Sequence, residues 1–348
     1  MKIQVHPEVL ANWQGRKVKT RQPAPVVGDL KVAVGGIDLK VDAGAEPADC
    51  LPIPGAYRFP TKGPASKSNM RVLMALAKGR NCFIHGPPGT GKDAIVHAFS
   101  AWTRKPCLMV TFRPGTDLAP WFYMRTYENG QSGWRYGALW YALTQGLTGR
   151  DGVARPPMIL LSDVDRADSA QAEWFRILTD SISGRILGPD GKMHQIFPGT
   201  QFVCTANSCG TGDSRGRMIS ANPIDASIMD RLGRAVEFTY LAWEDESVVL
   251  REKFPVLAEK TPEIFEQLRG ACDSLRSAIT REDIYGEFTH RGICEVLLEA
   301  QDRFEFTGDK TKLLNHGFKA WLDRLDADNR LAATRLIDPF LKGGGVED

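Results

Sequence analysis

The middle of the chain alternates short apolar runs with segments of helical periodicity. Five apolar runs have the length of buried strands, at 81–85, 107–112, 158–161, 201–205 and 236–241. Apolar residues at helical spacing predict helices at 68–78, 93–104 and 169–183. Because alternating strands and helices form parallel sheets covered on both faces, this pattern predicts a three-layer α/β core.

The two ends of the chain have different patterns. Residues 31–34 and 37–41 read as short strands joined at Gly35-Gly36, which predicts a hairpin. Beyond residue 241 the pattern is helical only, at 261–279, 290–304 and 312–325. We therefore predict an N-terminal segment over 1–56, an α/β core over 57–241 and a helical lid over 242–348.

Composition narrows the class of protein. Of 348 residues, 43% are hydrophobic and 25% charged, as in proteins that fold around a core, and the net charge of +2 provides no overall field for nucleic acid or membranes. Seven cysteines without a C-x-x-C pair argue against a disulfide framework, and the six histidines lack the spacing of a zinc site. The start of the chain has no signal-peptide pattern and no run is long enough to span a membrane. We expect a cytoplasmic protein without a membrane partner.

A glycine-rich loop joins the first predicted core strand to the following helix. It reads Gly86-Pro87-Pro88-Gly89-Thr90-Gly91-Lys92. Glycines in this context let backbone N–H groups converge on phosphates at a helix N-terminus, and the lysine reaches the β- and γ-phosphates. The loop therefore predicts a nucleotide-binding P-loop. It departs from that motif at Asp93, because the usual residue there is Ser or Thr, whose hydroxyl binds Mg²⁺.

A second motif follows the apolar run at 158–161. An Asp-Glu pair is expected there, the Asp supporting the metal ion and the Glu polarising the attacking water, but the chain has Ser162-Asp163. In the other register Asp163 is the metal residue and Val164 stands at the place of the base. We favour the first register, because the hydroxyl missing at Asp93 then reappears at Ser162, and the carboxylate missing at Ser162 reappears at Asp93. We predict that Asp93 and Ser162 hold Mg²⁺ and that Asp163, one methylene shorter than Glu, supports slower hydrolysis. The alternative is a decayed site that binds nucleotide poorly or never hydrolyses it.

These motifs resemble the AAA+ ATPases, and within them the MoxR and cobaltochelatase CobS-like group, over residues 55–340. The resemblance implies a three-layer P-loop NTPase core with a helical lid, and ATP and Mg²⁺ as ligands. It also implies roles for four residues outside the two motifs. Asn207 matches the sensor-1 asparagine, Arg231 or else Arg234 matches the arginine finger, and Arg291 matches the sensor-2 arginine.

The resemblance further implies a homo-oligomeric ring, most simply a hexamer, that remodels a partner with a von Willebrand factor A-type domain. Hairpins are predicted at 121–141, which contains eight aromatic residues, and at 184–197. In related rings such hairpins face the pore or a partner, whereas we expect most of these aromatics to pack on their own domain. Two alternatives to the remodelling ATPase stay open, a nucleotide-binding scaffold that does not hydrolyse and a nucleic-acid motor. The near-neutral charge disfavours the motor.

Overall fold

A computed structural model describes residues 31–341 except 43, 46–49, 54–56, 129, 150, 169–170, 172–173, 175, 179–183, 211–221 and 225. At its centre five parallel strands form one sheet, namely β3 (Cys82–His85), β4 (Cys107–Thr111), β9 (Met158–Ser162), β12 (Gln201–Ala206) and β13 (Arg234–Glu237). Their order across the sheet is β13-β3-β12-β9-β4. The parallel three-layer core predicted from the sequence is confirmed.

Helices cover both faces of the sheet, and four short antiparallel pairs lie around it. The helices of this part are α1 (Gly63–Ala77), α2 (Lys92–Thr103), α3 (Ala119–Phe122), α4 (Ala138–Gln145) and α5 (Ala226–Arg231). The paired strands are β1 (Lys31–Val34) with β2 (Ile37–Lys40), β5 (Tyr123–Glu128) with β6 (Gln131–Tyr136), β7 (Leu147–Thr148) with β8 (Ala154–Arg155), and β10 (Arg185–Leu187) with β11 (Met193–Gln195). The helix predicted at 169–183 lies partly outside the described residues.

Alternating side chains of the strands enter two separate apolar clusters. Phe83 of β3 packs on one face, whereas its neighbours Cys82 and Ile84 pack on the other with α1 and α2. Strands buried on both faces need continuous apolar sequence, since neither face meets water. This requirement explains why the core strands appear in the sequence as unbroken apolar runs.

The chain after β13 is helical throughout its described part. It contains α6 (Trp243–Lys253), α7 (Pro255–Lys260), α8 (Ile264–Thr280), α9 (His290–Thr307), α10 (Leu313–Leu322) and α11 (Ala327–Ile337). Their apolar faces form a third cluster, which contains Phe265, Phe288, Phe318 and Trp321. No described helix is long and apolar enough to cross a membrane.

The predicted hairpins are present, and the β5–β6 hairpin packs largely through its own aromatic residues. In the β5–β6 hairpin Tyr123 pairs with Tyr136, and both rings contact Trp140 of α4 at centroid distances of 5.5 and 5.4 Å. Toward the tip the side chains leave the core, so that Tyr127 is 76% and Trp134 44% exposed. The expectation that most aromatics pack on their own domain holds at the base of this hairpin but not at its tip.

Candidate nucleotide-binding site

Three neighbouring strands of the sheet end at the same edge, and each of them leads into a predicted motif. β3 leads into the glycine-rich loop, β9 ends at Ser162, and β12 leads to Asn207. Since β12 lies between β3 and β9, the three carboxyl ends are adjacent. Ligands of open parallel sheets bind at this edge.

The glycine-rich loop requires glycine for steric reasons at its first position. Gly86 has φ of 141°, and a Cβ there would lie 2.2 Å from the carbonyl oxygen of Phe238. Gly91 has φ of 84° and precedes the first residue of α2, Lys92. The loop therefore presents an open backbone at the N-terminus of a helix, the arrangement that binds phosphate.

Lys92 is folded back onto this loop and is 7% exposed. Its Nζ donates to the carbonyl oxygens of Gly86 at 2.8 Å and Pro87 at 3.0 Å, and to Oδ1 of Asn207 at 2.9 Å. Burial lowers the pKa of Lys92, and the nearby carboxylates of Asp93 and Asp163 oppose that shift. The structure thus joins the loop lysine directly to the predicted sensor asparagine.

Asp93 and Ser162 are in contact, as their exchange requires. The Ser162 hydroxyl donates to Oδ2 of Asp93 at 2.8 Å, and the Thr205 hydroxyl of β12 donates to Oδ1 at 2.6 Å. Sequence reasoning missed Thr205, because a threonine inside an apolar strand carries no signal of its own. Both oxygens of the carboxylate are therefore oriented by hydroxyl groups, which come from two different strands.

Asp163 directly follows β9 in a left-handed backbone conformation with φ of 55°. Its amide N–H donates to the Thr205 hydroxyl at 3.4 Å, so Thr205 contacts both acidic positions. Burial raises the pKa of the Asp163 carboxyl, and the charge of Asp93 adds to that shift. A raised pKa brings a carboxylate closer to the range in which it serves as a general base at neutral pH.

Asp165 is a second residue that sequence reasoning missed. In the structure it is buried beside this edge, with 1% of its surface exposed. Its Oδ2 accepts the backbone N–H groups of Asn207 at 2.9 Å and Ser208 at 2.8 Å. Its carbonyl oxygen accepts the N–H of Asn222 at 2.7 Å. Asp165 therefore contacts the chain on both sides of residues 211–221, which lie outside the described residues.

The helical region reaches the glycine-rich loop through the start of α9. A Cβ on Gly89 would lie 3.0 Å from the Cβ of Thr289, whose hydroxyl caps α9 by accepting the N–H of Gly292 at 3.2 Å. Nδ1 of His290, the first residue of α9, donates to Oε1 of buried Glu246 at 3.0 Å. The α9 N-terminus is thus fixed against the phosphate loop.

The three predicted arginines have exposed side chains. Arg291 is the second residue of α9 and is exposed, and no hydrogen bond or ion pair joins it to the described phosphate loop. Arg231 ends α5 and Arg234 begins β13, and both are exposed. Their roles toward nucleotide stay predictions.

Residues 81–232, which contain the whole of this edge, match the family profile of the AAA domain of the dynein-related subfamily. This part of the chain is similar to AAA domains. The parallel sheet, the phosphate loop and the following helical region together form the AAA+ P-loop NTPase fold. The matched residues end before the helical region, so α9 and its arginine lie outside the match.

Two solved structures are similar to this chain at low identity. One is a RuvB variant of Thermotoga maritima, with 12% identity, a TM-score of 0.49, and coverage of 78% of this chain and 73% of that chain. The other is NtrX of Brucella abortus in complex with ADP, with 14% identity, a TM-score of 0.49, and coverage of 78% of this chain and 56% of that chain. A search of curated protein sequences finds no significant match.

Proposed function

We propose that this AAA+ chain is a magnesium-dependent ATPase whose site is built from Lys92, Asp93, Ser162, Asp163 and Asn207. The observation that supports it most is the contact of the Asp93 carboxylate with the Ser162 hydroxyl at 2.8 Å, beside the loop lysine. A decayed site has no reason to keep this pair complementary. Here the motif's missing hydroxyl and missing carboxylate are each supplied by the other position.

The donor set fits a hard cation completed by nucleotide oxygens. Among the described residues no group of three or more His, Cys, Asp or Glu side chains could hold a metal ion alone. Magnesium in nucleotide sites needs only one or two protein oxygens, because phosphates and water supply the others. Asp93 and Ser162 would hold the ion, and Mg²⁺ would supply charge neutralisation for the β- and γ-phosphates.

The protein residues have three further roles in the proposed reaction, which are to neutralise the phosphates, to orient the attacking water and to contact the γ-phosphate. The Lys92 ammonium and the backbone amides of the loop neutralise and orient the phosphates. The Asp163 carboxylate orients the attacking water, helped by its raised pKa. The Asn207 side chain, held at 2.9 Å from Nζ of Lys92, places a polar group where the γ-phosphate is expected.

The finer part of the proposal concerns assembly. We propose a MoxR/CobS-like ring, most simply a hexamer, in which Arg231 or Arg234 of one subunit reaches the nucleotide of the next and Arg291 acts from the lid. The ring would remodel a partner carrying a von Willebrand factor A-type domain. The exposed apolar side chains at both hairpins support a partner contact, namely Tyr127 and Trp134 on one and Leu187 and Met193 on the other.

The first experiment measures steady-state ATP hydrolysis at concentrations that permit oligomers, with Mg²⁺ and with EDTA. We expect magnesium-dependent turnover that Lys92→Ala reduces at least about 100-fold, since loss of a group that stabilises phosphoryl-transfer charge has effects of that order. Lys105→Ala is the matched control, because Lys105 is a half-buried lysine that binds Gln201 at 2.7 Å, outside the site residues. Its activity should stay within about twofold of the parent chain.

Other outcomes separate the alternatives. Tight ATP binding without turnover, even with a partner recovered by pull-down of the Mg-ATP complex, would favour the non-hydrolysing scaffold. Turnover that rises tenfold or more with single-stranded DNA or RNA would favour the nucleic-acid motor. Mass measurement of the chain with ATP and Mg²⁺ reports ring size in the same samples.

A further inference from the structure

Asp165 is a buried carboxylate that lies beside Asn207. It lies in the one-turn 3₁₀ helix Val164–Arg166 that follows Asp163, and it is 1% exposed. Burying a carboxylate is costly unless hydrogen bonds compensate for the water it loses. Such a residue needs a structural reason, and its contacts supply one.

The contacts of Asp165 converge on the segment that follows β12. A single oxygen, Oδ2, accepts the N–H groups of Asn207 at 2.9 Å and Ser208 at 2.8 Å. Oδ1 is buried and has no hydrogen-bond donor among the described residues. The carboxylate therefore fixes the two consecutive peptide N–H groups of Asn207 and Ser208, and it uses only one of its two oxygens to do so.

The same two peptide groups set the direction of the Asn207 side chain. Asn207 Oδ1 accepts from Nζ of Lys92 at 2.9 Å, which places the asparagine against the phosphate loop. A charge-assisted hydrogen bond is roughly twice as strong as a neutral one. Oδ2 of Asp165 accepts two such bonds, from the N–H groups of Asn207 and Ser208. Rotation of the backbone at Asn207 and Ser208 would move the side-chain amide of Asn207 away from Lys92.

We propose that Asp165 is the positioning residue of the sensor-1 asparagine, acting through the backbone of Asn207 and Ser208. This inference rests on the proposed ATPase function and assigns to it a residue outside the phosphate loop and the β9 acidic motif. Asp165 affects the rate of hydrolysis rather than the affinity for nucleotide, since its side chain contacts the loop and not the phosphates.

The geometry provides a matched pair of variants. In Asp165→Asn the amide oxygen can take the place of Oδ2 and accept both N–H groups, while the amide nitrogen takes the place of Oδ1, which accepts no hydrogen bond from a described residue. In Asp165→Ala both hydrogen bonds are lost. Asparagine therefore preserves the positioning contacts without the charge, and alanine removes them.

The test measures kcat for Mg-ATP, the Kd of a fluorescent ADP analogue and amide hydrogen exchange in the peptide over 205–210. We expect Asp165→Ala to lower kcat by about 10- to 100-fold, because misplacing a catalytic group by about 1 Å has effects of that size. Its Kd should change less than threefold, and exchange of the Asn207 and Ser208 amides should accelerate at least tenfold. Asp165→Asn should stay within about threefold of the parent chain in all three measurements.

A double-mutant cycle with Asn207→Ala completes the design. If Asp165 acts through Asn207, the double variant should be no slower than Asn207→Ala alone. Equal loss of kcat in the Asn and Ala variants would overturn the proposal in favour of a charge effect, and additive losses would overturn the route through Asn207. If the parent chain does not hydrolyse ATP, the proposed function fails first. Unchanged amide exchange in Asp165→Ala would separately refute the anchoring.

Discussion

At the scale of single residues, Asp93 is the position at which this site differs most from other phosphate loops. An unshielded carboxylate about 4 Å from a phosphate charge costs about 4 kcal/mol per charge pair at an effective dielectric near 20. In the structure this carboxylate accepts hydrogen bonds from Ser162 and Thr205. Two donors reduce the charge that Asp93 presents, and a bound Mg²⁺ would turn the remaining repulsion into attraction.

The exchange of Asp93 and Ser162 predicts a specific pattern of rescue. Asp93→Thr leaves hydroxyl groups and no carboxylate at the metal position, and Ser162→Asp places two carboxylates side by side. We expect each single variant to lose at least about tenfold in kcat/KM for Mg-ATP, and the double variant to recover most of that loss. The coupling energy should be about 2–3 kcal/mol, which lies at the upper end of the range found for residues in contact.

The measurement is kcat/KM over a series of Mg²⁺ concentrations, with thermal stability of each variant as the control for folding. If the double variant loses as much as the two singles combined, the two positions act independently and the exchange hypothesis is wrong. A gain confined to high Mg²⁺ would still support it, because the restored carboxylate then binds the ion more weakly.

The sequence predicted that Asp93 and Ser162 lie side by side, but it did not predict that Thr205 contacts Asp93 and Asp163. Asp93 and Ser162 are visible because each breaks a motif whose spacing is fixed by the backbone of the loop and strand. Thr205 and Asp165 break nothing, since each stands where the motifs allow many residue types. Their roles arise from the order of the strands in the sheet, which places β12 between β3 and β9.

At the scale of elements, the unbroken apolar runs predicted four of the five core strands to within one or two residues. The fifth was predicted at 236–241 but is paired over Arg234–Glu237. β13 is one of the two edge strands of the sheet, and in it only Val236 is buried, whereas Arg234 and Glu237 are exposed. A strand with a single buried residue lacks the apolar run that identifies a fully buried strand, and the apolar residues that follow β13 pack after the sheet has ended.

The start of α9 shows how the helical region is tied to the phosphate loop. Glu246 is 1% exposed and accepts from Arg276 at 2.7 and 3.0 Å, and its Oε1 lies 3.0 Å from His290 Nδ1. Burial lowers the pKa of His290, but the hydrogen bonds to Cys294 and Glu246 raise it to about 9 overall. Burial raises the pKa of Glu246, yet the hydrogen bonds and charges of His290 and Arg276 hold it below its usual value. The groups facing one another are therefore charged and paired at neutral pH.

This arrangement predicts a pH dependence of stability. His290 has a raised folded-state pKa, so its contribution is complete below its ordinary pKa near 6.5 and is lost as the pH rises through about 9. The difference in unfolding free energy between the parent chain and His290→Gln should be largest near pH 6, roughly 2–3 kcal/mol at most, and should shrink toward zero by about pH 10. Denaturant titrations at several pH values measure it.

The neighbouring ionisable groups define the control for that measurement. Burial raises the pKa of the Cys294 thiol, but the hydrogen bond from His290 and the charge of Lys253 lower the pKa of this thiol overall. Cys294→Ser should therefore reduce, but not remove, the pH dependence. A difference that stays constant between pH 6 and 10 would show that His290 stabilises α9 by packing alone.

At the scale of the whole molecule, three apolar clusters underlie the predicted organisation. Two lie on the faces of the sheet and the third lies within the helical region after Trp243. The hairpin β1–β2 belongs to the core cluster of α1 and α2 through Leu39, and Asp42 pairs with Arg155 at 2.5 Å. The division at 56 and 241 stays a prediction, and these contacts favour placing the described hairpin with the core.

The ring is predicted from the family resemblance, which makes Arg231, at an exposed position at the end of α5, the candidate arginine finger. An arginine that acts on the nucleotide of the next subunit can be supplied by a different copy of the chain, because ring contacts are head-to-tail. Arg231→Ala keeps its phosphate loop, and Lys92→Ala keeps its arginine. In a random equal mixture of the two inactive variants, about a quarter of the interfaces combine an intact loop with an intact arginine. We expect the mixture to regain hydrolysis in roughly that proportion, measured after subunit exchange and normalised to the parent ring.

Arg234→Ala in place of Arg231→Ala identifies which arginine acts, since only the finger variant should be inactive alone and rescued in the mixture. If neither mixture gains activity while mass measurement shows mixed rings, neither arginine acts across the interface.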